Sequence, residues 1–463
     1  MATDVRRWQS MLLMAASACL VLLSAAPGGA QQAESPQQPE AAESAEYGSN
    51  FVRSPDSASN PVPQRGLLEL FYPELPEQRR KLPAFFGDTS LKLHFRSFFF
   101  DQDNDNGKVS ETWAVGGWLK YQSGWLLDTF AIGATYYTSL PVYGPADKPG
   151  SLLVAPGQQA IGVVGEAWGA LRYKEYALLK GYRQMIDEGY VNPLDNRMVP
   201  NTFGALLLSG KLGWARYDVG YVWEIKPRDS NDFISMSKQA GALGESQGLL
   251  LTALTLTPIK DLSLYAANYY VADVFNTAFG KAEYTYTLSE DLVLQFGIQY
   301  TDQRSVGSER IGGFSTWDVG GGIRVLWKGL RVGVALHSTG KDASIRSLYG
   351  TWPGYLSLAV TDFDRAGEQA YGLGVRYDFG GTLLPFQVPG LSLYVAFAAG
   401  RDRVDAATGA GQPNTYEGDL DIIYNVPSIK GLSLRFRNAY VGRGNGQVVK
   451  DYRVIVNYEL DLL

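Results

Sequence analysis

Basic side chains alternate with apolar ones along several stretches of the chain. Near the start, Lys92 and Arg96 alternate with Leu93 and Phe95. The same alternation sets six further arginines opposite an apolar parity: Arg324, Arg331, Arg376, Arg435, Arg437 and Arg453. A guanidinium group binds a carboxylate through two parallel hydrogen bonds, so these residues predict a row of binding positions for carboxylate-bearing solutes.

This alternation has a period of two, which is typical of a β-strand with one apolar and one polar face. In a membrane-spanning strand the apolar face meets lipid and the other face meets a lumen. An arginine or lysine facing lipid costs about 2–4 kcal/mol at the bilayer midplane, so we expect the basic parity to face inward. The alternative for any one arginine is that it only solvates the wall and pairs with an acid such as Asp378 or Glu459.

The stretch from Lys180 to Phe203 breaks the alternation with turn-forming residues and charges of both signs. Because an empty wide barrel would be a nonselective hole, we expect this stretch to fold inward and narrow the lumen. The predicted constriction charges are Arg183, Asp187, Asp195 and Arg197. The alternatives are an external loop or a salt-bridge cluster that pins the loop to the wall.

The alternating runs belong to a repeated hairpin. Five turns that end in Gly or Asp are each followed by Leu, one residue, and Leu or Val, at residues 261–264, 291–294, 329–332, 390–393 and 431–434. The spacing leaves room for an up strand, a long loop and a down strand, while the turn between hairpins stays short. Short turns at one end and long loops at the other indicate an outer-membrane β-barrel, of about sixteen to eighteen strands.

The N-terminus predicts the route to that membrane. Arg6 and Arg7 precede an apolar stretch and small residues, which is typical of a secretory signal peptide over residues 1–30. A transmembrane helix is the alternative, but the stretch is shorter than the roughly 20 apolar residues that a span needs. Residues 31–62, rich in Gln, Glu, Ala, Ser and Pro, predict a disordered periplasmic leader, and residues 63–463 the barrel.

Catalysis has little support in the sequence. A hydrolase needs a nucleophile beside a base, and nothing places a serine and an acid next to His94 or His337, the two histidines of the chain. The single cysteine, Cys19, lies in the predicted signal peptide, where lipidation is a weaker alternative to ordinary cleavage. We therefore predict no enzyme activity, no cofactor and no metal, and we expect both histidines to line the lumen.

Net charge excludes one class of partner. The chain carries a formal charge of -6, which does not suit a generally basic nucleic-acid binder. Charges of both signs can nevertheless segregate inside a pore, so the net charge of the chain does not predict the charge of the lumen.

Several short motifs, in this order along the chain, resemble the OprD family of outer-membrane porins. They are Phe86-Gly87-Asp88, Lys180-Gly181 with Asp195–Phe203, Asp364–Glu368, Arg376–Phe379 and Arg453–Leu460. Ala366 and Glu459 stand where proline is common in the family. The resemblance, from about Phe85 to Leu463, implies an all-β, transmembrane antiparallel barrel of 18 strands, inward constriction loops, and a basic ladder that passes small carboxylate-bearing solutes.

The function expected from these features is passive, diffusive uptake of small anionic solutes such as aromatic or aliphatic acids, amino acids or short peptides. The expected location is the outer membrane of a Gram-negative bacterium, in contact with lipid and lipopolysaccharide. Family likeness implies a monomer or a loose homotrimer. The alternatives are a nonselective porin, or a plugged barrel for adhesion whose long outer loops bind a partner: residues 139–160, 227–247, 338–356 and 401–416.

Overall fold

A computed structural model describes residues 51–52 and 66–463 of the chain. The predicted signal peptide, and all of the predicted leader except Phe51 and Val52, lie outside these residues. Four short helices occur in the described part: α1 (Leu67–Phe71), α2 (Leu75–Arg80), α3 (Ala84–Gly87) and α4 (Met236–Gln239). None of the helices described is both long and apolar enough to cross a membrane.

The strands of the described part form a single antiparallel sheet that closes on itself, because β1 pairs with both β2 and β19. The strands are β1 (Ser90–Asp103), β2 (Val109–Gln122), β3 (Phe130–Tyr143), β4 (Ile161–Tyr173), β5 (Ala177–Gln184), β6 (Thr202–Leu212), β7 (Ala215–Lys226), β8 (Ile234–Ser235), β9 (Leu249–Leu256), β10 (Leu262–Val271), β11 (Phe275–Ser289), β12 (Leu292–Ser305), β13 (Ser315–Trp327), β14 (Leu330–Thr339), β15 (Gln369–Asp378), β16 (Leu391–Arg401), β17 (Thr415–Asn425), β18 (Leu432–Arg443) and β19 (Val448–Asp461). β8 is a two-residue strand beside the end of β7, so the wall is a closed barrel of 18 long strands.

The repeated hairpin predicted from the sequence is confirmed, since its five copies open β10, β12, β14, β16 and β18. Four of the residues just before these strands have a positive φ, between 66° and 91°: Asp261, Gly329, Gly390 and Gly431. Gly and Asp are among the residues that adopt this conformation most readily, which explains why the phrase begins with them. These short turns mark the periplasmic end of the barrel.

Alternate residues of each strand face lipid and lumen. In β16, Val395 and Phe397 are about half exposed, whereas Tyr394, Ala396 and Ala398 are buried. The outward parity carries apolar side chains around the barrel, as expected where lipid is the solvent.

Buried side chains fill much of the lumen between the strands and three inward-folded loops, residues 144–160, 185–201 and 340–368. Loop residues Leu153, Val191 and Leu356 have no exposed area. Two of the segments that the sequence suggested as long outer loops, 139–160 and 338–356, are therefore partly lumenal. Their apolar residues pack against the inner wall, which their length alone did not reveal.

The N-terminal side of the barrel differs from expectation in two ways. The sequence assigned residues 63–463 to the β-barrel, but α1, α2 and α3 precede β1, and Phe86 and Gly87 belong to α3. Phe51 and Val52 fall in the predicted disordered leader, yet they are buried in the lumen. The prediction of disorder is wrong for these two residues, because the barrel wall offers them an apolar surface that the sequence does not show.

Candidate functional site in the lumen

Five arginines converge on a cleft in the lumen, which we call the arginine cleft. It is lined by Arg96, Phe98, Asp195, Asn196, Arg197, Arg435, Arg437, Arg453, Ile455 and Asn457. Residues two apart on a strand share a face, so β18 and β19 each present alternate residues to the cleft, as does β1. The loop 185–201 covers it and supplies the single carboxylate among the lining residues, Asp195.

Arg96 connects the wall to the inward loop. Its Nη1 donates to Oδ1 of Asp195 at 2.8 Å and to the carbonyl oxygen of Arg197, while its Nε donates to Oδ1 of Asn457 at 2.8 Å. The Asn457 side chain also contacts His94 Nε2 at 3.2 Å. Arg96 therefore holds the loop in place and remains at the edge of the cleft.

Arg435 and Arg437 share one buried carboxylate on the neighbouring strand. Asp421 of β17 accepts from Nη2 of Arg435 at 2.5 Å and from Nε and Nη2 of Arg437 at 2.7 and 2.9 Å. Asp421 therefore joins both guanidinium groups to the neighbouring strand.

Arg453 adds a further cation directly opposite Arg437, its register partner on the adjacent strand. Its Nε and Nη2 donate to the two Oδ atoms of Asp451 at 2.7 and 2.9 Å, and Nη2 also donates to the carbonyl oxygen of Ala359 at 3.1 Å. Each of the two opposed guanidinium groups thus has its own wall carboxylate, Asp421 for Arg437 and Asp451 for Arg453.

The other predicted ladder residues lie nearer the periplasmic end of the strands. Arg331 and Arg376 are register partners, and both lie near Asp378, at 3.8 and 2.9 Å. Arg324 donates to Gln295 at 3.1 Å. Lys92 pairs with Asp461 at 3.5 Å and lies opposite Lys120, a lumenal cation that the sequence analysis missed although it follows the same alternation.

Of the four predicted constriction charges, two line the arginine cleft. Arg197 is buried, donates to the carbonyl oxygen of Ser151 at 2.9 Å and lies over the Phe100 ring at 4.8 Å. Asp195 pairs with Arg96, as described. The exposed Asp187 lies elsewhere in the loop.

Arg183 does not belong to the constriction loop, so that prediction is wrong. The strand β5 continues to Gln184, and the loop begins only at Met185. The guanidinium group of Arg183 lies 4.0 Å from the Phe233 ring centroid and donates to the carbonyl oxygen of Val164 at 3.4 Å. The strand β5 extends further into the charged stretch than the irregular composition of that stretch suggested.

Glu188 is a further charged residue of the loop. Its carboxylate is buried, pairs with Arg216 of β7 and accepts from Tyr265 of β10 at 3.1 Å. Burial raises the pKa of Glu188 to about 7, and the nearby carboxylate of Asp218 adds to the increase. The sequence of the loop alone does not show that the Glu188 side chain is buried in the lumen.

Two acids of β17 hold the tip of the loop 340–368. Glu417 accepts from the backbone N–H groups of Val360 and Thr361, both at 2.8 Å, and Asp419 accepts from that of Ala359 at 2.9 Å. Glu417, Asp419 and Asp421 alternate along β17. The same period that predicted the basic ladder could have found this acidic row.

The two histidines occupy polar positions on the lumenal wall. His337 Nδ1 lies 3.0 Å from Asp318 Oδ2, which also accepts from the Thr339 hydroxyl at 2.9 Å. His94 lies beside Asn457 and stacks edge-on against Trp118, with ring centroids 5.2 Å apart.

A closed barrel of antiparallel strands with short periplasmic turns, inward-folded loops, an apolar outer face and charges facing the lumen defines an outer-membrane channel protein. The family model described as outer membrane porin, OprD family, matches residues 83–462. The chain belongs to the OprD family of porins, which are channels rather than enzymes and lie in the outer membrane of Gram-negative bacteria. The resemblance found in the sequence is thereby confirmed.

Solved structures share the fold at low sequence identity. OccK9 (OpdG) of Pseudomonas aeruginosa is 20% identical, with a TM-score of 0.73 over 82% of this chain and 100% of that one. OpdK of the same organism, solved with vanillate, is 20% identical with a TM-score of 0.72 over 81% and 100%. OccAB2 of Acinetobacter baumannii is 20% identical with a TM-score of 0.74 over 82% and 100%. No curated protein sequence matches the chain.

Proposed function

We propose that this porin takes up small carboxylate-bearing solutes by passive diffusion along the basic residues of its lumen. The proposed route runs past the arginine cleft and then past Arg331, Arg376 and Lys92 near the periplasmic end. Aromatic or aliphatic acids, amino acids and short peptides are the solute classes that fit a row of guanidinium groups. No cofactor or energy source is needed.

The observation that carries the proposal is the placing of like charges directly opposite each other. Register pairs Arg437 with Arg453 and Arg331 with Arg376 across neighbouring strands. The two cations of such a pair can both donate to a carboxylate that lies between them. Wall carboxylates lie beside both pairs, Asp421 and Asp451 at the first and Asp378 at the second, and they weaken the binding of a solute, as conduction requires.

The ligand in a structurally similar porin supports the same class of solute. The solved structure of OpdK contains vanillate, although that finding concerns a protein only 20% identical.

The N-terminal organisation belongs to the same proposal. Residues 1–30 direct export and are removed, residues 31–62 form a leader that is periplasmic apart from the lumenal Phe51 and Val52, and residues 63–463 form the porin domain. The porin works as a monomer or a loose homotrimer in a membrane that contains lipopolysaccharide, and it binds no nucleic acid.

The test is solute-driven swelling of liposomes that contain the refolded protein, with benzoate and glutamate compared with arginine and with neutral sugars of similar size. The variant is Arg435→Gln/Arg437→Gln/Asp421→Asn, in which the shared carboxylate is neutralised together with its two cations. The matched control, Arg401→Gln/Arg365→Gln/Asp402→Asn, makes the same change in net charge at exposed positions, one at the end of β16 and two in loops.

We expect carboxylates to enter faster than sugars in the parent and in the control, and to lose that advantage in the variant. Equal entry of sugars and carboxylates in the parent would show a general porin. No entry of any solute would overturn the channel proposal in favour of a plugged barrel.

A further inference from the structure

Phe51 and Val52 occupy a position on the inner wall of the barrel, and we call this dipeptide the tethered segment. Phe51 is 7% exposed and Val52 is 1% exposed. Both belong to the same buried apolar cluster as Tyr355 and Leu356 of the inward loop 340–368. The chain thus places two of its own apolar residues inside its channel.

The contacts of the tethered segment involve both its backbone and its side chains. The backbone N–H of Phe51 donates to the carbonyl oxygen of Tyr355 at 3.0 Å. The Tyr394 hydroxyl of β16 donates to the carbonyl oxygen of Val52. The Phe51 ring lies between the Tyr355 ring, at 4.7 Å between centroids, and the guanidinium group of Arg324, at 4.6 Å.

The wall beneath the segment lacks side chains at the points of closest approach. Gly333 and Gly374 face each other on β14 and β15, and a Cβ at either position would overlap the backbone carbonyl of Phe51 or Val52, respectively. At both positions the three atoms nearest to that Cβ belong to the tethered segment, so the segment makes the closest contact with each glycine. Glycine weakens a strand and often marks a place where another backbone comes close.

The segment also covers one residue of the basic ladder. Arg324 lies on the lumenal parity of β13, and the Phe51 ring lies against its guanidinium group. The glycines beneath the segment lie four or five residues from the periplasmic turns, so the segment occupies the periplasmic half of the lumen on this side.

We propose that the inner wall of β13–β16 is a docking site for an extended apolar peptide, and that the tethered segment is its ligand in cis. While docked, the segment narrows the lumen and shields Arg324; when it is displaced, the lumen widens and Arg324 becomes accessible to solutes. The inference rests on the channel activity of the proposed function but not on its preference for carboxylates.

The first test is single-channel recording in planar bilayers with a simple salt. The variant Gly333→Ala/Gly374→Ala is designed to displace the segment. Its matched control is Gly321→Ala/Gly418→Ala, at two strand glycines where the nearest atoms to a new Cβ lie at 3.4 and 3.9 Å. A second variant, Phe51→Ser/Val52→Ser, removes the apolar side chains and leaves the wall unchanged.

The second test reports on the segment itself. In a chain with Cys19→Ser, a cysteine introduced by Val52→Cys is labelled with a water-soluble maleimide. The maleimide should label this cysteine slowly when the wall is native and rapidly when the wall carries Gly333→Ala/Gly374→Ala. Heat-modifiable electrophoretic mobility checks that each barrel has folded.

We expect both displacing variants to conduct at a higher level than the parent and the glycine control to match the parent. Unchanged conductance in both folded variants, with equally rapid labelling on the native and altered walls, would overturn the inference. Conductance in simple salt does not depend on solute preference, so this failure is distinguishable from a loss of carboxylate selectivity in the swelling assay.

Discussion

Asp421 orients two of the five arginines in the arginine cleft, so the charge of the cleft depends strongly on this one residue. The carboxylate has no exposed area, and Arg435 and Arg437 are also buried. Removing one partner of a buried ion pair is far more costly than removing an exposed one, because the remaining charge has lost its solvent and its counterion.

The variant Asp421→Ala should lower the free energy of unfolding by about 3–5 kcal/mol, measured by denaturant titration in detergent micelles. In the fraction that folds, reversal potentials should shift toward anion selectivity, because a negative charge has left the cleft. Asp402→Ala is the control, since Asp402 and its partner Arg401 are both largely exposed and the expected change is about 0–1 kcal/mol. Equal destabilisation by both variants would contradict this account.

Glu188 should make selectivity depend on pH. Its pKa is raised to about 7, mainly by burial, among Arg216 and Asp218 of β7 and Tyr265 of β10. As the pH rises from about 6 to about 8, the group loses its proton, the lumen gains a negative charge, and anion selectivity falls. Reversal potentials across this range should change less in Glu188→Gln than in the parent. His94 and His337 are present in both proteins, so the difference isolates Glu188, and identical pH profiles would refute its role.

Among whole elements, the loop 340–368 depends on a few hydrogen bonds to the wall. Its tip is held by Glu417 and Asp419 through three backbone N–H groups. These hydrogen bonds act together with the apolar packing of Tyr355, Leu356 and Leu358 to keep the loop in the lumen.

The double variant Glu417→Ala/Asp419→Ala should release the loop tip. Single-channel conductance should then rise and discrimination between carboxylates and sugars should fall. Asp405→Ala is a suitable control, because Asp405 accepts from the backbone N–H groups of Ala407 and Thr408 within an exposed loop. If conductance does not change in a folded double variant, the anchors are not what holds the loop inward.

The sequence predicts the strands better than it predicts the inward loops. A period of two along each strand decides whether a side chain faces the lumen, as for Arg96, Arg435 and Arg453. That period can be read directly from the sequence. Which cations become neighbours depends on register between strands, so the opposition of Arg437 and Arg453 was not predictable. The inward path of the loop 340–368 depends on contacts to β17, more than 50 residues away. Length and composition alone could not separate it from an outer loop.

The whole barrel is stable only with lipid on its outer face. Val395 lies midway along β16 and points outward, whereas Tyr416 points outward near the end of β17 at the long-loop side. Val395→Arg should lower the free energy of unfolding by about 2–4 kcal/mol and Tyr416→Arg by about 0–1 kcal/mol, measured by denaturant titration in lipid vesicles. Similar losses at the two depths would mean that the barrel does not sit in the bilayer as its outer face indicates.

The closure of the barrel joins its first strand to its last. Arg96 and Asn457 are hydrogen-bonded across 361 positions of sequence, and β19, 14 residues long, supplies the final partner of both β1 and β18. Until β19 has paired, β1 and β18 each have an edge with unpaired backbone groups, which hydrocarbon cannot solvate. A chain that stops short of residue 448 therefore cannot complete its insertion, however well its earlier hairpins form. The seam makes the full length of the polypeptide a condition of assembly, so truncated products remain open to proteolysis before they reach the bilayer.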